Sequence, residues 1–137
     1  MSPVLRIRVD PTLPSPIWSQ LEESVRYLVA SGALRPGDAL ASVRDLARDQ
    51  RVNPNTVAKA YQRLVEAGIV ETRRGEGTFV APRPPAMPAG EKTRILQDGA
   101  TRYSTLAVNL GATRAEAVST LQAAWPEHDM ASKGGKR

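Results

Sequence analysis

Between Asn53 and Gly68, amides, a hydroxyl and two cations recur at helical spacing with no carboxylate among them: Asn55, Thr56, Lys59, Gln62 and Arg63. An amide sets a donor beside an acceptor. A threonine offers a hydroxyl and a methyl, and lysine and arginine add charged donors. Such a set is equipped to recognise an anionic surface patterned with hydrogen-bonding groups. It holds no carboxylate, imidazole or thiol that could activate a nucleophile or carry redox chemistry. The chain has no cysteine, which excludes disulfides, thiolate zinc sites and thiol nucleophiles. Its one histidine, His128, lies near the C-terminal end, so histidine-centred metal or general-base chemistry is not expected.

These residues need a helix to align them, and the sequence supplies one. Asn53 suits the N-cap, Pro54 the first helical position, and Gly68 the left-handed stop. Val57, Ala60, Tyr61, Leu64 and Val65 form the opposite, apolar face. Upstream, VLRIRV (4–9) alternates as a short strand, and Ser15 and Pro16 open a helix carrying Ile17, Leu21, Val25, Leu28 and Val29 up to Gly32. LRPGDAL (34–40) reads as a turn. Ser42 and Asp45 then approximate a capping box for a short helix with Val43, Leu46 and Ala47 inward. Downstream, IVETRRGEGTFV (69–80) reads as two strands around a glycine-bearing hairpin.

The expected organisation is a first domain over 1–82, a proline-rich linker at 83–90, a helical segment over 91–128 and a tail at 129–137. In the helical segment, a poorer helix with Gly99 at its middle ends at Gly111. A second helix follows behind a capping box of Thr113 and Glu116.

Three helices followed by a two-stranded hairpin is the order of a winged helix-turn-helix, whose third helix enters the DNA major groove. There Asn55 suits adenine, Lys59 suits guanine and the Thr56 methyl suits thymine, while Arg63, one turn on, suits a phosphate. The net charge is +5, and only four of the 19 basic residues are lysines, so the bias is toward forked arginine contacts. An ordinary solvated face would account for Lys59, Gln62 and Arg63 on an isolated helix; the motif order favours DNA. A charged hairpin tip that blocks edge pairing is the competing reading of Arg73 and Arg74.

The run LRPGDALASVRDLARDQRVNPNTVAKAYQRLVEAGIVETRRGEGTFVA resembles the DNA-binding domain of GntR-type bacterial transcription regulators, over roughly residues 14–82. PIWSQL, NPNTV and the short helical C-terminus look most like the YtrA-type subgroup, whose members carry a small helical dimerisation segment. The resemblance implies that Arg44 touches phosphate or a base edge and that Asn55, Thr56 and Lys59 lie in the major groove. Arg73, Arg74 and Gly75 would form a wing reaching the backbone and the adjacent minor groove. Ser42 would cap its helix and meet a phosphate. Three positions depart from the family pattern. Ala41 replaces the usual proline, Gln50 an apolar residue, and Arg51 a glycine at a turn where a left-handed conformation costs on the order of 1 kcal/mol.

The expected fold is therefore mainly α with a small β-hairpin: a winged helix-turn-helix followed by two short helices for dimerisation. Ile95, Tyr103, Leu106, Val118, Leu121 and Trp125 are the apolar residues a second copy would cover. Tyr61, Leu64 and Phe79 are expected in the core, and Trp18 in packing. The expected partners are double-stranded DNA and a second copy of the chain. The expected function is a dimeric repressor on an inverted-repeat operator, with a protein-docking winged helix as the alternative. No enzyme, cofactor or metal is expected. Some GntR-type proteins carry an aminotransferase-like domain, for which this length leaves no room. No small-molecule effector is legible. No apolar run approaches the ~20 residues of a membrane helix, and the N-terminus is too short and charged for a signal peptide, so a cytoplasmic protein is expected.

Overall fold

The computed structural model describes residues 7–126, and the chain divides into two compact units between Met87 and Pro88. The expected strand residues 4–6, the end of the helical segment at 127–128 and the tail at 129–137 lie outside the described residues.

The larger unit contains α1 (Ile17–Ala30), α2 (Val43–Gln50), α3 (Pro54–Glu66), β1 (Val70–Arg73) and β2 (Gly77–Val80). Helix α3 is central, packing against α1, α2 and β1. Its apolar face is the expected one: Val57, Ala60, Tyr61 and Leu64 are buried. They join Leu21 and Val25 of α1, Leu46 and Ala47 of α2, and Ile69, Val70 and Val80 around the hairpin in one cluster. Removing branched side chains from such a cluster typically costs 2–5 kcal/mol each, the transfer energy plus a cavity.

Polar contacts fix how the helices begin. The Asn53 side chain accepts the Asn55 N–H at 2.7 Å, and Ser42 Oγ accepts the Asp45 N–H at 3.0 Å. The Tyr61 hydroxyl crosses from α3 to donate to the Ala41 carbonyl at 2.6 Å. That bond pins the segment leading into α2 at the position where a proline is usual, and burial pushes the Tyr61 phenol pKa up. Ser15 does not cap α1: the N-cap is Pro16, which has no side chain able to accept. Instead buried Gln20 ties the preceding loop down, accepting the Asp10 N–H at 2.7 Å and donating to the carbonyls of Asp10 and Ser15 at 3.0 and 3.1 Å. Residues 7–9 form no strand either; Ile7 is buried in the core without a ladder partner.

The hairpin is antiparallel with Val70 opposite Val80 and Arg73 opposite Gly77, which leaves Arg74, Gly75 and Glu76 at the tip. Gly75 has φ 75°, a conformation a side chain would strain. The stretch expected to be only a turn does more. After the turn at Pro36 and Gly37, Asp38 to Leu40 runs along β2, with Leu40 N–H donating to Thr78 O at 2.8 Å and Val80 N–H to Asp38 O at 2.8 Å. Strand β2 is therefore bonded on both edges. Phe79 is half-buried rather than a core residue.

The smaller unit is α4 (Glu91–Asn109) and α5 (Arg114–Ala124). Gly99 does not interrupt α4, which is continuous over 19 residues. The Thr113–Glu116 capping box is complete, with reciprocal bonds of 2.8 and 3.1 Å. The Tyr103 hydroxyl donates to the Ala117 carbonyl at 2.7 Å and so joins the two helices.

Arg51 is the one residue other than glycine with positive φ among the described residues, at 58°. Its backbone closes α2 in the left-handed region, as expected from its position. Arg51→Gly should therefore raise stability by about 1 kcal/mol, read as a higher urea midpoint. An unchanged or lower midpoint would mean that the turn carries no left-handed penalty.

Candidate nucleic-acid interface

The exposed side of α3 begins with Asn55. Its backbone N–H is taken by the cap, while its side chain is exposed and has no hydrogen bond among the described residues. Thr56 beside it is half-buried. Pro54 contributes no N–H, so the first turn presents side chains rather than unpaired backbone donors. Arg44, in the first turn of α2, is exposed and forms no ion pair among the described residues, whereas Arg48 on the same helix is paired with Asp45 at 2.6 Å.

The other two cations of α3 lean toward α1. Lys59 Nζ lies 4.5 Å from the centroid of the Trp18 ring, and Arg63 Cζ lies 4.7 Å from it. Arg63, expected to reach outward to a phosphate, directs its Nε–H to Glu22 Oε1 at 2.7 Å. Glu22 is buried, and its second oxygen accepts from Arg26 at 3.1 Å. Burial pushes the Glu22 pKa up. The hydrogen bonds and charges of Arg63 and Arg26 outweigh that and hold it below its ordinary value of 4.5.

Trp18 and Glu22 are the residues whose part in the site sequence reasoning missed. The signal was present as two matched spacings: Trp18 and Glu22 one turn apart on α1, Lys59 and Arg63 one turn apart on α3. Each spacing is ordinary by itself; only the docking of the helices makes them face each other.

On the wing, Arg74 is exposed at the tip beside Gly75. Arg73 is half-buried, stacked 4.0 Å from the Phe79 ring centroid and paired with Glu71 at 3.1 Å. Its aromatic contact gives Phe79 a part in positioning the wing.

In the smaller unit Leu106, Val118, Leu121 and Trp125 are exposed as large apolar side chains, joined by Leu96, Val108 at 72% and Leu110 at 75%. Ile95 and Tyr103 are half-buried, and Tyr103 already serves the α4–α5 contact. Helix α5 buries no residue. Among the described residues no helix is long and apolar enough to cross a membrane, and no group of three His, Cys, Asp or Glu could hold a metal ion.

Comparison with known proteins matches residues 18–80 to the family described as bacterial regulatory proteins, gntR family. The HTH-type transcriptional regulator Rv1152 of Mycobacterium tuberculosis is 41% identical over 118 residues, which span 84% of this chain and 90% of that protein. The chain belongs to the GntR family. The HTH-type transcriptional repressor YtrA of Bacillus subtilis is 45% identical over 75 residues, 55% of this chain and 58% of that relative. This chain thus spans little more than half the length of that repressor. Among solved structures, YtrA from Sulfolobus acidocaldarius, a GntR-family transcription factor, superposes with a TM-score of 0.54 at 31% identity, covering 71% of this chain and 98% of that one. These GntR relatives are named as regulators and not as enzymes, and the winged helix and YtrA-type resemblance read from the sequence stand.

The Glu22 ion pairs carry a definite pH dependence. A depressed folded pKa means that their stabilisation is complete above the unfolded value and is lost as the pH falls through the folded one. Glu22→Gln should accordingly flatten the acid limb of stability, measured as urea midpoints from neutral pH to below the carboxylate range. An acid limb of the same steepness in both proteins would contradict the assignment.

Proposed function

We propose that the protein is a sequence-specific, dimeric DNA-binding repressor that reads an inverted repeat with the first turn of α3. The observation that carries the reading is Asn55: an exposed amide without a side-chain hydrogen bond among the described residues, on the N-terminal turn of a helix whose other face is locked in the core. A helix entering the major groove by its N-terminus presents such a residue to base edges, where an amide pairs with adenine and the Thr56 methyl meets thymine. Lys59 adds a cation at the groove. Ser42 and Arg44 at the start of α2 contact phosphates, and Arg73, Arg74 and Gly75 bring the wing to the backbone. Arg63 supports this surface from the α1 side.

The names of the relatives support repression, and the exposed apolar side chains of α4 and α5 support a dimer. Ile95, Tyr103, Leu106, Val118, Leu121 and Trp125, with Leu96, Val108 and Leu110, are the surface a second copy would cover. Two-fold pairing would set two α3 helices on half-sites related by an inverted repeat. Cytoplasmic localisation accords with this role, and no small-molecule effector is assigned.

Asn55→Ala should cost about 1–3 kcal/mol at one base pair of each half-site and little elsewhere, measured by titrating a panel of single-base operator variants. Equal loss on every duplex would remove Asn55 from base reading. Arg74→Ala, in contrast, should weaken all duplexes alike and lower the salt dependence. For the dimer, a chain ending at residue 82 should sediment as a monomer and bind a half-site far more weakly. Sedimentation of that fragment as the same dimer as the full chain would contradict assembly through α4 and α5.

A further inference from the structure

The side of α3 that leans on α1 holds an unusual arrangement: two like charges one helical turn apart share a single indole. Lys59 Nζ and Arg63 Cζ stand 4.5 and 4.7 Å from the Trp18 centroid. Their mutual repulsion is opposed by the negative face of the ring, which attracts both. Glu22, one turn beyond Trp18 on α1, then distinguishes between them. Its Oε1 accepts from Arg63 Nε at 2.7 Å and its Oε2 from Arg26 at 3.1 Å, so both oxygens are engaged, and the side chain is only 9% exposed. Arg63 is ion-paired with a buried carboxylate that it shares with Arg26. Lys59 has no ion pair among the described residues and lies exposed on its helix.

The two cations therefore have different capacities. Arg63 is clamped between Glu22 and Trp18 and joins α3 to α1. Lys59 keeps its full charge, held by a ring that gives the ammonium a direction without cancelling it. That direction is toward α1, along the flank of α3, and away from the inward face that Val57 and Leu64 define. A compact ammonium needs only proximity to bind a phosphate, whereas a base is read through a defined pair of hydrogen bonds.

We propose that Lys59 is a phosphate contact steered by Trp18, and that Arg63 with Glu22 is a positioning pair that fixes Trp18, not a DNA contact. The inference rests on the DNA-binding reading above and refines it. Asn55 and Thr56 discriminate sequence, and the Trp18–Lys59 pair grips the backbone on the α1 side of the groove. It also places an α1 residue in control of an α3 contact.

The test uses the full chain, an operator selected by it and one unrelated duplex, each titrated over a series of salt concentrations. Lys59→Met should weaken both duplexes by the same factor, on the order of fivefold, and reduce the salt slope by about 0.9. Trp18→Leu should do the same to a lesser degree, Trp18→Phe should retain most of the affinity, and the Trp18→Leu/Lys59→Met double variant should bind no worse than Lys59→Met alone. Glu22→Gln should act in the direction of Trp18→Leu, because it releases Arg63. If the Leu variant does not fold, the same cycle is read with Trp18→Met, which keeps the bulk of an apolar side chain but has no ring to hold the cation.

A Lys59→Met loss confined to particular base pairs of the operator, with an unchanged salt slope, would overturn the proposal and make Lys59 a base reader. Strictly additive losses in the double variant would overturn the steering by Trp18. Failure of the wild-type chain to bind any duplex would overturn this inference together with the DNA-binding reading. Wild-type binding with a normal Lys59→Met slope overturns this inference alone.

Discussion

Leu21 and Val25 of α1 lie in one dry cluster with Val57, Ala60 and Leu64 of α3, each of the five at 1% exposure or less. That packing decides the rotation of α3 about its own axis, because a helix has one apolar stripe and turning it would expose the stripe. Once the stripe is fixed inward, Asn55 must face out and Lys59 and Arg63 must lie toward α1. The polar surface is thus a consequence of core packing. Tyr61 extends the constraint to α2, since its hydroxyl fixes the Ala41 carbonyl just before the Ser42 cap. A loss of packing between α1 and α3 would disturb the α2 contacts as well as those of α3.

The hairpin is subject to a second constraint. A two-stranded ribbon is marginal by itself, and here β2 is bonded on one edge to β1 and on the other to residues 38–40. Val70 and Val80 are buried at its base, while Arg74 and Gly75 stand at its tip. The wing is buried where it meets the core and exposed where it would meet a phosphate backbone. Arg73 sits between these ends, its guanidinium shared by Phe79 and Glu71. That geometry makes Arg73 the more structural of the two wing arginines.

Features governed by local chemistry were legible in the sequence. The caps at Asn53, Ser42 and Thr113, the proline at the first position of α3 and the apolar stripe of α3 all follow from residue type and short spacing, whereas the left-handed Arg51 was suggested only by the glycine that the family carries at that turn. Features governed by distant partners were not. Ser15 looked like a cap, yet the loop before α1 is held by Gln20. The expected strand over 4–9 forms no ladder at residues 7–9 among the described residues. The 38–40 segment pairs with a strand some forty residues later, and no local pattern marks that. Trp18 and Glu22 gain their part in the site only when α1 docks on α3. Of the candidate site, the residue types on α3 and the wing were legible, while the commitment of Arg63 and Arg73 to intramolecular carboxylates was not.

The smaller unit poses the complementary case: good caps and a hydroxyl bond between helices, with most of its large apolar side chains left facing outward. Under the proposed dimer these side chains are the surface a second copy would cover, and the pairing would set the spacing of two copies of α3. The most direct test of the account is selection of bound sequences from random duplex DNA by the full-length chain at near-physiological salt. Enrichment of an inverted repeat, with two half-sites separated as a two-fold dimer requires, is the predicted result. Binding that enriches no sequence and vanishes as salt is raised would contradict base reading by the first turn of α3.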